Sequence, residues 1–258
     1  MWPGAASPIE GAQRGDACLA APVLITGSGG RVGTGLRRCW GDRYPLRLFD
    51  RQGMVPLGAH EEMVRGDITD AGALTAAMAG CRAVVHLAAT ADEADFVEEL
   101  VPNNVVGLHH AFEAARILGV RRFIFASTVQ VLLGYPRDVF VRDGDPVRPV
   151  SRYACTKVLG EALGRYHHER HGLEVVCLRL GAVPHPDRDD PRRGGIYLSP
   201  RDCAGFVAGA LDTCPAPEGG YAVISLVSRG GAAIRDLERA VRLLGYVPQD
   251  GAPPGAGA

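Results

Sequence analysis

Short apolar runs alternate with longer helical patterns along almost the whole chain, and this alternation restricts the possible folds more than any other feature. The runs are rich in Val, Ile, Leu and Phe, and most lack a polar–apolar alternation. Strands buried on both faces, as in parallel sheets, have that composition. We therefore predict an α/β fold, a doubly wound parallel sheet (Rossmann fold) with a small C-terminal substrate lobe.

The same patterns predict where each element lies. The predicted strands cover 22–27, 46–50, 62–67, 83–89, 122–128, 173–180 and 221–226. The predicted helices cover 31–41, 70–79, 103–118, 151–171, 202–213 and 232–244, with Thr69 and Asp202 as N-caps. Gly, Ala and Pro dominate both ends, so 1–20 is predicted to be a flexible leader and 247–258 a disordered tail. Residues 21–246 then form one domain, with substrate-binding elements after residue 180.

Composition excludes several classes of protein. The 258 residues include 28 basic and 29 acidic side chains, so we expect no nucleic-acid surface. The apolar runs are far shorter than the ~20 residues of a membrane span, and the N-terminus has no signal-peptide pattern. Seven scattered cysteines without a CxxC pair predict reduced thiols and a cytoplasmic location, with neither a disulfide framework nor a zinc site.

The first predicted strand leads into a glycine-rich loop, TGSGGRVG, with glycines at Gly27, Gly30 and Gly33. Glycine permits a tight turn and a close approach of the backbone to a pyrophosphate at the N-terminus of the next helix. The alternative is a loop that merely joins a strand to a helix. Because this loop follows a strand and opens a helix, we predict dinucleotide binding.

Acidic residues end the next two predicted strands. Asp50 can accept hydrogen bonds from the adenosine ribose and would repel a 2′-phosphate, which favours NAD over NADP. Arg51 weakens this preference because an arginine there could bind that phosphate. In GDITD, Asp67 could accept from the adenine amino group while Ile68 packs on the ring; a simple turn residue is the alternative for Asp67.

A tyrosine and a lysine four residues apart open the helix after the fifth strand. Tyr153 and Lys157 share a helical face near the carboxyl edge of the sheet, where ligands bind. A lysine ammonium and a positively charged nicotinamide would lower the tyrosine pKa from its usual ~10. Tyr153 could then take a proton from a substrate hydroxyl while hydride leaves the same carbon, and Thr128 would orient the substrate oxygen. The neighbouring Ser127 is predicted to be structural.

Two further features are interpreted as structural. His167 and His171 could share a metal ion, but the HExxH spacing is absent and a solvated helix end is favoured, so no metal is predicted. Cys155 could be a redox-sensitive thiol, but packing against a strand or a dimer partner is favoured.

Together, TGSGGRVG, Asp50, GDITD, VVHLAA, NNVVG, FAST and YACTK resemble the extended short-chain dehydrogenase/reductase family, also called the NAD-dependent epimerase/dehydratase family, over about residues 22–213. The resemblance implies that Thr128, Tyr153 and Lys157 carry catalysis. It implies a cofactor site of Gly27, Gly30, Arg31, Val32, Gly33, Asp50, Asp67, Ile68, Leu87, Ala88, Ala89, Asn104, Tyr153 and Lys157. It also implies a homodimer that packs the helices at 103–118 and 151–171 together.

The residues after Thr128 narrow the chemistry. Sugar dehydratases of this family have an acidic pair there, whereas this chain has Val129 and Gln130. The compact chain is most similar to the uronate dehydrogenases. That group has an Asn-His pair at this place and a serine at the place of Ala182. Its carboxylate-binding arginine corresponds to Arg192, with Arg193 equally placed.

We therefore predict an NAD-dependent oxidoreductase acting on a small polyol, sugar or sugar acid, at a secondary alcohol or hemiacetal carbon. Thr128, Gln130 and Arg192 are predicted to contact this substrate. One alternative is a redox-neutral sugar epimerase that keeps its NAD. The other is a non-catalytic NAD(P)-binding regulator, which the presence of both Tyr153 and Lys157 disfavours.

Overall fold

The computed structural model describes residues 21–56, 58–136, 138–185, 195–230 and 236–251. Within these residues, seven parallel strands form one sheet in the order β3-β2-β1-β4-β5-β6-β7. The strands are β1 Val23–Thr26, β2 Leu46–Asp50, β3 Glu61–Arg65, β4 Ala83–His86, β5 Arg122–Thr128, β6 Glu174–Leu180 and β7 Tyr221–Leu226. The strand order reverses between β1 and β4, as in a doubly wound dinucleotide-binding sheet, which confirms the predicted fold.

Helices cover both faces of this sheet. They are α1 Arg31–Trp40, α2 Ala71–Met78, α3 Gly107–Ile117, α4 Arg152–His171, α5 Pro200–Asp212 and α6 Leu237–Leu244. A π-helical segment, Phe96–Val106, leads directly into α3. It begins well before the predicted start at 103, because the Asp95 carboxylate caps the amides of Val97 and Glu98. The predicted leader at 1–20 and the predicted substrate residue Arg192 lie outside the described residues.

Both predicted N-caps are wrong. Thr69 is adjacent to the true cap of α2, and Asp202 lies three residues after the true cap of α5. Asp70 rather than Thr69 caps α2, accepting a hydrogen bond from the Ala73 amide at 3.0 Å. Ser199 rather than Asp202 caps α5, accepting from the Asp202 amide at 3.0 Å. The sequence pattern was ambiguous because several adjacent residues have side chains capable of capping.

Small residues bring α4 close to the sheet. A Cβ atom at Gly160 would lie 2.3 Å from Phe125 Cζ, and one at Gly164 would lie 2.9 Å from Val175 Cγ1. No larger side chain fits between α4 and these strands without movement. The approach holds the middle of α4 against β5 and β6.

The start of the predicted tail is bound to the domain. Asp202 is fully buried and accepts hydrogen bonds from the Tyr246 hydroxyl at 2.9 Å and the Gln249 amide at 2.7 Å. Asp250 accepts from the Ser199 hydroxyl at 2.7 Å. The described part of the tail, 247–251, therefore differs from the expected disorder, because a buried carboxylate holds its backbone amides. Among the described helices, none is both long and apolar enough for a membrane span.

Candidate active site

Two adjoining cavities open at the carboxyl edge of the sheet. One, the cofactor cavity, has a volume of about 250 Å³ and extends from the glycine loop past Asp50 to Ile68. The other, the catalytic cavity, has a volume of about 260 Å³ and contains Thr128. Both are lined by Gly27, Gly30, Leu87 and Ala89, so they form one continuous cleft.

The glycine loop cannot carry side chains at its critical positions. Gly27 has a φ of +69°, and a Cβ atom there would lie 2.7 Å from the Ala88 amide nitrogen. A Cβ atom at Gly33 would lie 2.6 Å from the Ser28 carbonyl oxygen. Gly30 caps α1 without a side-chain hydrogen bond, so the first amides of the helix are available to an anion. This bare helix end and close-packed loop fit a dinucleotide pyrophosphate.

Asp50 is fixed at the far end of the cofactor cavity. Its two carboxylate oxygens accept hydrogen bonds from the Gly29 and Gln52 amides, each at 3.0 Å. Arg51 lines the same cavity, with its side chain 67% exposed and its Nη1 atom 3.9 Å from an Asp67 oxygen. A carboxylate held in this way accepts ribose hydroxyls and repels a 2′-phosphate.

Asp67 and Asn104 lie beside the cofactor cavity and do not line it. Asp67 accepts hydrogen bonds from the Thr69 amide and hydroxyl at 2.9 and 2.8 Å, the geometry of a turn residue. Asn104 is buried and binds both the amide and the carbonyl of Thr90, at 2.8 and 3.0 Å. Asn103 lines the cavity instead. Of the paired asparagines in NNVVG, the sequence offered no signal for which one faces the cleft.

Thr128, Tyr153 and Lys157 converge on the catalytic cavity. The end of β5 supplies Thr128, and the first turns of α4 supply the other two. Thr128 Oγ1 accepts a hydrogen bond from the Gln130 amide at 3.2 Å, which leaves its own hydrogen for a substrate oxygen. Gln130 accepts from the hydroxyl of Ser151, the N-cap of α4, at 2.9 Å. The loop after β5 is therefore tied to the helix that carries the tyrosine.

Burial controls the proton affinity of the tyrosine and the lysine. Lys157 Nζ lies 5.5 Å from the centre of the Tyr153 ring, and burial lowers the pKa of Lys157 to about 7. Burial also raises the pKa of Tyr153 above its ordinary value; the Asp92 charge adds to this shift and the Arg31 charge opposes it. The tyrosine thus keeps its proton in the cleft itself, and forming a phenolate requires additional positive charge beside it.

A buried ion pair supports the floor of the catalytic cavity. The Ser127 hydroxyl donates to Glu161 at 2.6 Å, and Arg179 from β6 binds the same carboxylate at 2.8 Å. Arg179 also donates to the Asp143 carbonyl at 3.0 Å. These contacts join β5, α4 and β6 directly behind Thr128, in line with the structural role predicted for Ser127.

One of the two α4 histidines named above differs from its prediction, whereas His171 is exposed at the end of the helix as predicted. His167 is buried, not solvated, and stacks on Phe112 with ring centres 4.9 Å apart. The reason is that it faces α3, whose Glu113 carboxylate lies 3.7 Å from its Nε2 atom. Among the described residues, no cluster of three or more His, Cys, Asp or Glu side chains could hold a metal ion. Cys155 is exposed on the same helix.

Comparison with known proteins identifies the family of this chain. A family model described as the NAD dependent epimerase/dehydratase family matches residues 23–197. The chain belongs to this family. An NAD-dependent glucose-6-phosphate dehydrogenase from Haloferax volcanii is 34% identical, with 89% of this chain and 93% of the relative covered. A uronate dehydrogenase from Pseudomonas putida is also 34% identical, with coverages of 88% and 84%.

Solved structures of uronate dehydrogenase share the fold of this member of the epimerase/dehydratase family. Uronate dehydrogenase from Agrobacterium tumefaciens has a TM-score of 0.80 at 30% identity, covering 89% of this chain and 85% of its own. A variant of that enzyme, solved in complex with NAD, is similar to the same degree. The predicted family and its class, an NAD-dependent enzyme of the extended short-chain type, are confirmed.

Proposed function

We propose that this protein is an NAD-dependent dehydrogenase that oxidises the hemiacetal carbon of an unphosphorylated or phosphorylated sugar, or of a sugar acid, to a lactone. The observation that carries the proposal is the convergence of Thr128, Tyr153 and Lys157 in a cavity continuous with the glycine-loop cavity. Relatives named uronate dehydrogenase, glucose-6-phosphate dehydrogenase and L-arabinose 1-dehydrogenase support sugar oxidation as the reaction.

Different residues along the cleft would bind different parts of the cofactor. Gly27, Gly30 and Gly33 with the N-terminus of α1 would hold the pyrophosphate, and Asp50 the adenosine ribose. NAD, when bound, supplies the hydride acceptor and a positive charge on its nicotinamide ring. Gly27 and Leu87 lie where the two cavities join, so the ring end of the cofactor would enter the catalytic cavity there.

The proton steps belong to three side chains. Thr128 donates a hydrogen bond to the substrate oxygen and holds it near the tyrosine. Tyr153 as phenolate would accept the proton of the C1 hydroxyl while the C1–H bond breaks, and the bound nicotinamide would supply the acceptor for the departing hydride. The C1–O bond becomes the lactone carbonyl. Lys157 stabilises the phenolate through its charge.

Two other functions on the same fold are separated by one incubation. The protein is mixed with NAD and a panel of uronates, aldoses and sugar phosphates, and absorbance at 340 nm is followed. Net NADH formation supports the dehydrogenase. Tightly retained NAD with sugar isomerisation and no net reduction would indicate an epimerase, and cofactor binding without any sugar conversion would indicate a regulator.

We also propose that the protein is a homodimer in the cytoplasm. Exposed apolar side chains lie on the two helices predicted to pack in a dimer: Ile117 is 64% exposed on α3 and Tyr166 is 53% exposed on α4. Leu159 and Tyr166 are two turns apart and share a helical face. A second copy of the chain would cover this face, which supports dimerisation. Six unpaired cysteines among the described residues support a reducing compartment.

A further inference from the structure

We propose that Gln130 is a positioning residue that aligns the Thr128 hydroxyl with the first turn of α4, which carries Tyr153. This inference rests on the proposed dehydrogenase function and concerns how its reacting groups are held. The backbone amide of Gln130 donates a hydrogen bond to Thr128 Oγ1 at 3.2 Å. Its side-chain Oε1 atom accepts one from the hydroxyl of Ser151 at 2.9 Å, two residues before Tyr153. One residue therefore joins the two catalytic segments.

The backbone contact orients the threonine. Thr128 is the last residue of β5, and its hydroxyl oxygen caps the short 3-10 helix Val129–Leu132 by accepting the Gln130 amide. Because the oxygen is held as an acceptor there, the hydrogen of the same hydroxyl is available to a substrate oxygen. A displacement of Gln130 would therefore move the group that fixes the Thr128 hydroxyl.

The side-chain contact has a fixed direction. Ser151 Oγ accepts a hydrogen bond from the Ala154 amide at 3.0 Å as the N-cap of α4, so its single hydrogen is the one donated to Gln130 Oε1. Gln130 and Tyr153 line the catalytic cavity, whereas Ser151 is not among the described residues that line it. An effect of Ser151 on the reaction would therefore have to pass through its neighbours.

Other contacts attach the loop after β5 to α4 without this link. Val131, Leu132 and Ala154 belong to one buried apolar cluster. The Arg148 amide also donates to the Val131 carbonyl at 2.8 Å. Removing the Gln130 side chain leaves these contacts in place, so the loop should stay folded on the helix. The link then affects alignment more than attachment, and a displacement of about 1 Å between reacting groups can slow a reaction by about 10²-fold.

The turn that carries Tyr153 is held from a second side. The Thr156 hydroxyl donates to the Tyr153 carbonyl at 2.7 Å, and Asn104 Nδ2 donates to the same Thr156 oxygen at 3.1 Å. These contacts fix the turn relative to the π-helical segment before α3. The contact between Gln130 and Ser151 fixes it relative to Thr128, which is the relationship that proton transfer from a bound hydroxyl requires.

The test is a double-mutant cycle on the reaction rate. Gln130→Met keeps a long side chain and removes the amide oxygen, and Ser151→Gly removes the donor at a position where glycine is tolerated. The two single variants and the double variant are compared with the unchanged protein. Values of kcat and KM are measured with NAD for D-glucose, D-glucuronate and glucose 6-phosphate, and the dissociation constant of NAD is measured by calorimetry.

Two further variants complete the cycle. Ser151→Thr keeps both the cap and the donor, so it is the conservative replacement. Asp236→Gly removes the N-cap of α6 and is the matched control for the loss of a cap alone. Urea denaturation of every variant separates a loss of stability from a loss of rate. If Gln130→Met does not fold, the comparison of Ser151→Gly with Ser151→Thr decides the matter.

We expect Gln130→Met and Ser151→Gly each to lower kcat by about tenfold while KM and the NAD dissociation constant change by less than about twofold, because misalignment weakens binding of the transition state alone. The double variant should be no slower than the slower single variant, since both changes break one contact. Ser151→Thr should keep most of the rate, and Asp236→Gly all of it.

Two results would overturn the inference and leave the dehydrogenase proposal intact. One is a set of losses that add in the double variant. The other is a rise in KM for Gln130→Met with no effect of Ser151→Gly, which would show that Gln130 acts by direct contact with the sugar. If the unchanged protein reduces NAD with none of the sugars, the dehydrogenase proposal is wrong and this inference is wrong with it.

Discussion

Lys157 lies one helical turn after Tyr153, with its Nζ atom 5.5 Å from the centre of the tyrosine ring and 5.0 Å from that of Phe125. Among the described residues, the ammonium therefore lies close to two aromatic rings. This position would allow its charge to stabilise a phenolate on Tyr153.

Replacing Tyr153 by Phe should abolish turnover without disturbing the cleft. We expect kcat to fall by about 10²–10⁴-fold, because only the proton-accepting oxygen is removed. The dissociation constant for NAD, measured by calorimetry, should change little. Full turnover by Tyr153→Phe would show that another group takes the proton.

Lys157 should make the stability of the free protein depend on pH. Burial lowers its pKa from 10.5 to about 7, so between these values the unfolded chain binds more protons than the folded one. The destabilisation caused by burying the charged lysine is complete below about pH 7 and is lost as the pH rises towards 10.5. We expect Lys157→Met to raise the free energy of unfolding at pH 6 by on the order of 2 kcal/mol, and by almost nothing near pH 10.5, in urea titrations. An equal gain at both pH values would contradict this origin.

Asp50 should determine the choice between NAD and NADP. We expect Asp50→Asn to lower the NAD-to-NADP ratio of kcat/KM by about 10- to 100-fold, because the repulsion of a 2′-phosphate is removed while the amide contacts of the side chain are partly kept. Arg51→Ala is the matched variant and should weaken NADP selectively. A ratio that does not respond to Asp50→Asn would place the adenosine ribose elsewhere.

Removing one partner of the Glu161–Arg179 pair should destabilise the protein much more than replacing both partners by apolar side chains. Both side chains are buried, so Arg179→Met alone leaves an unpaired carboxylate and should reduce the free energy of unfolding by about 3–5 kcal/mol. Adding Glu161→Leu should restore much of this loss, as measured by urea denaturation. Additive losses in the double variant would rule out the pair as the unit of interaction.

The proposed dimer depends on the exposed apolar face of α3 and α4. We expect Leu159→Glu combined with Ile117→Glu to convert a dimer to a monomer in sedimentation experiments, because charges would be buried at the interface. Val247→Glu, at a position 58% exposed in the C-terminal segment, is the control and should leave the mass unchanged. If the unchanged protein is a monomer in the same experiment, the proposed dimer is wrong.

The sheet could be predicted because its strands are buried on both faces and their apolar composition has few other interpretations. The glycine loop and the Tyr153–Lys157 pair could be placed because backbone sterics and helical spacing are local properties. Contacts between distant segments could not be predicted in this way. Asp202 appeared to be a cap, but its carboxylate is used by Tyr246 and Gln249, far along the chain.

Contacts between distant segments also explain why the burial of His167 and the position of the loop after β4 were not predicted. The burial of His167 depends on the packing of α3 against α4, which no periodicity in either helix reveals. Asp92 lines the catalytic cavity, and its neighbour Glu93 binds Arg152, a contact between segments that are distant in sequence. Local patterns therefore sufficed to predict which side chains share the catalytic cavity with Thr128, while contacts between distant segments emerged only from the tertiary structure.

The attachment of the C-terminal segment to Asp202 has a mechanical consequence. Ser199 caps α5 and binds Asp250, and three residues earlier Ile196 forms part of the catalytic cavity wall. The segment at 246–250 is thus linked to that wall of the catalytic cavity through the contact between Asp250 and Ser199. Loss of the contact between Asp250 and Ser199 should therefore affect the rim of the cavity as well as the C-terminal segment.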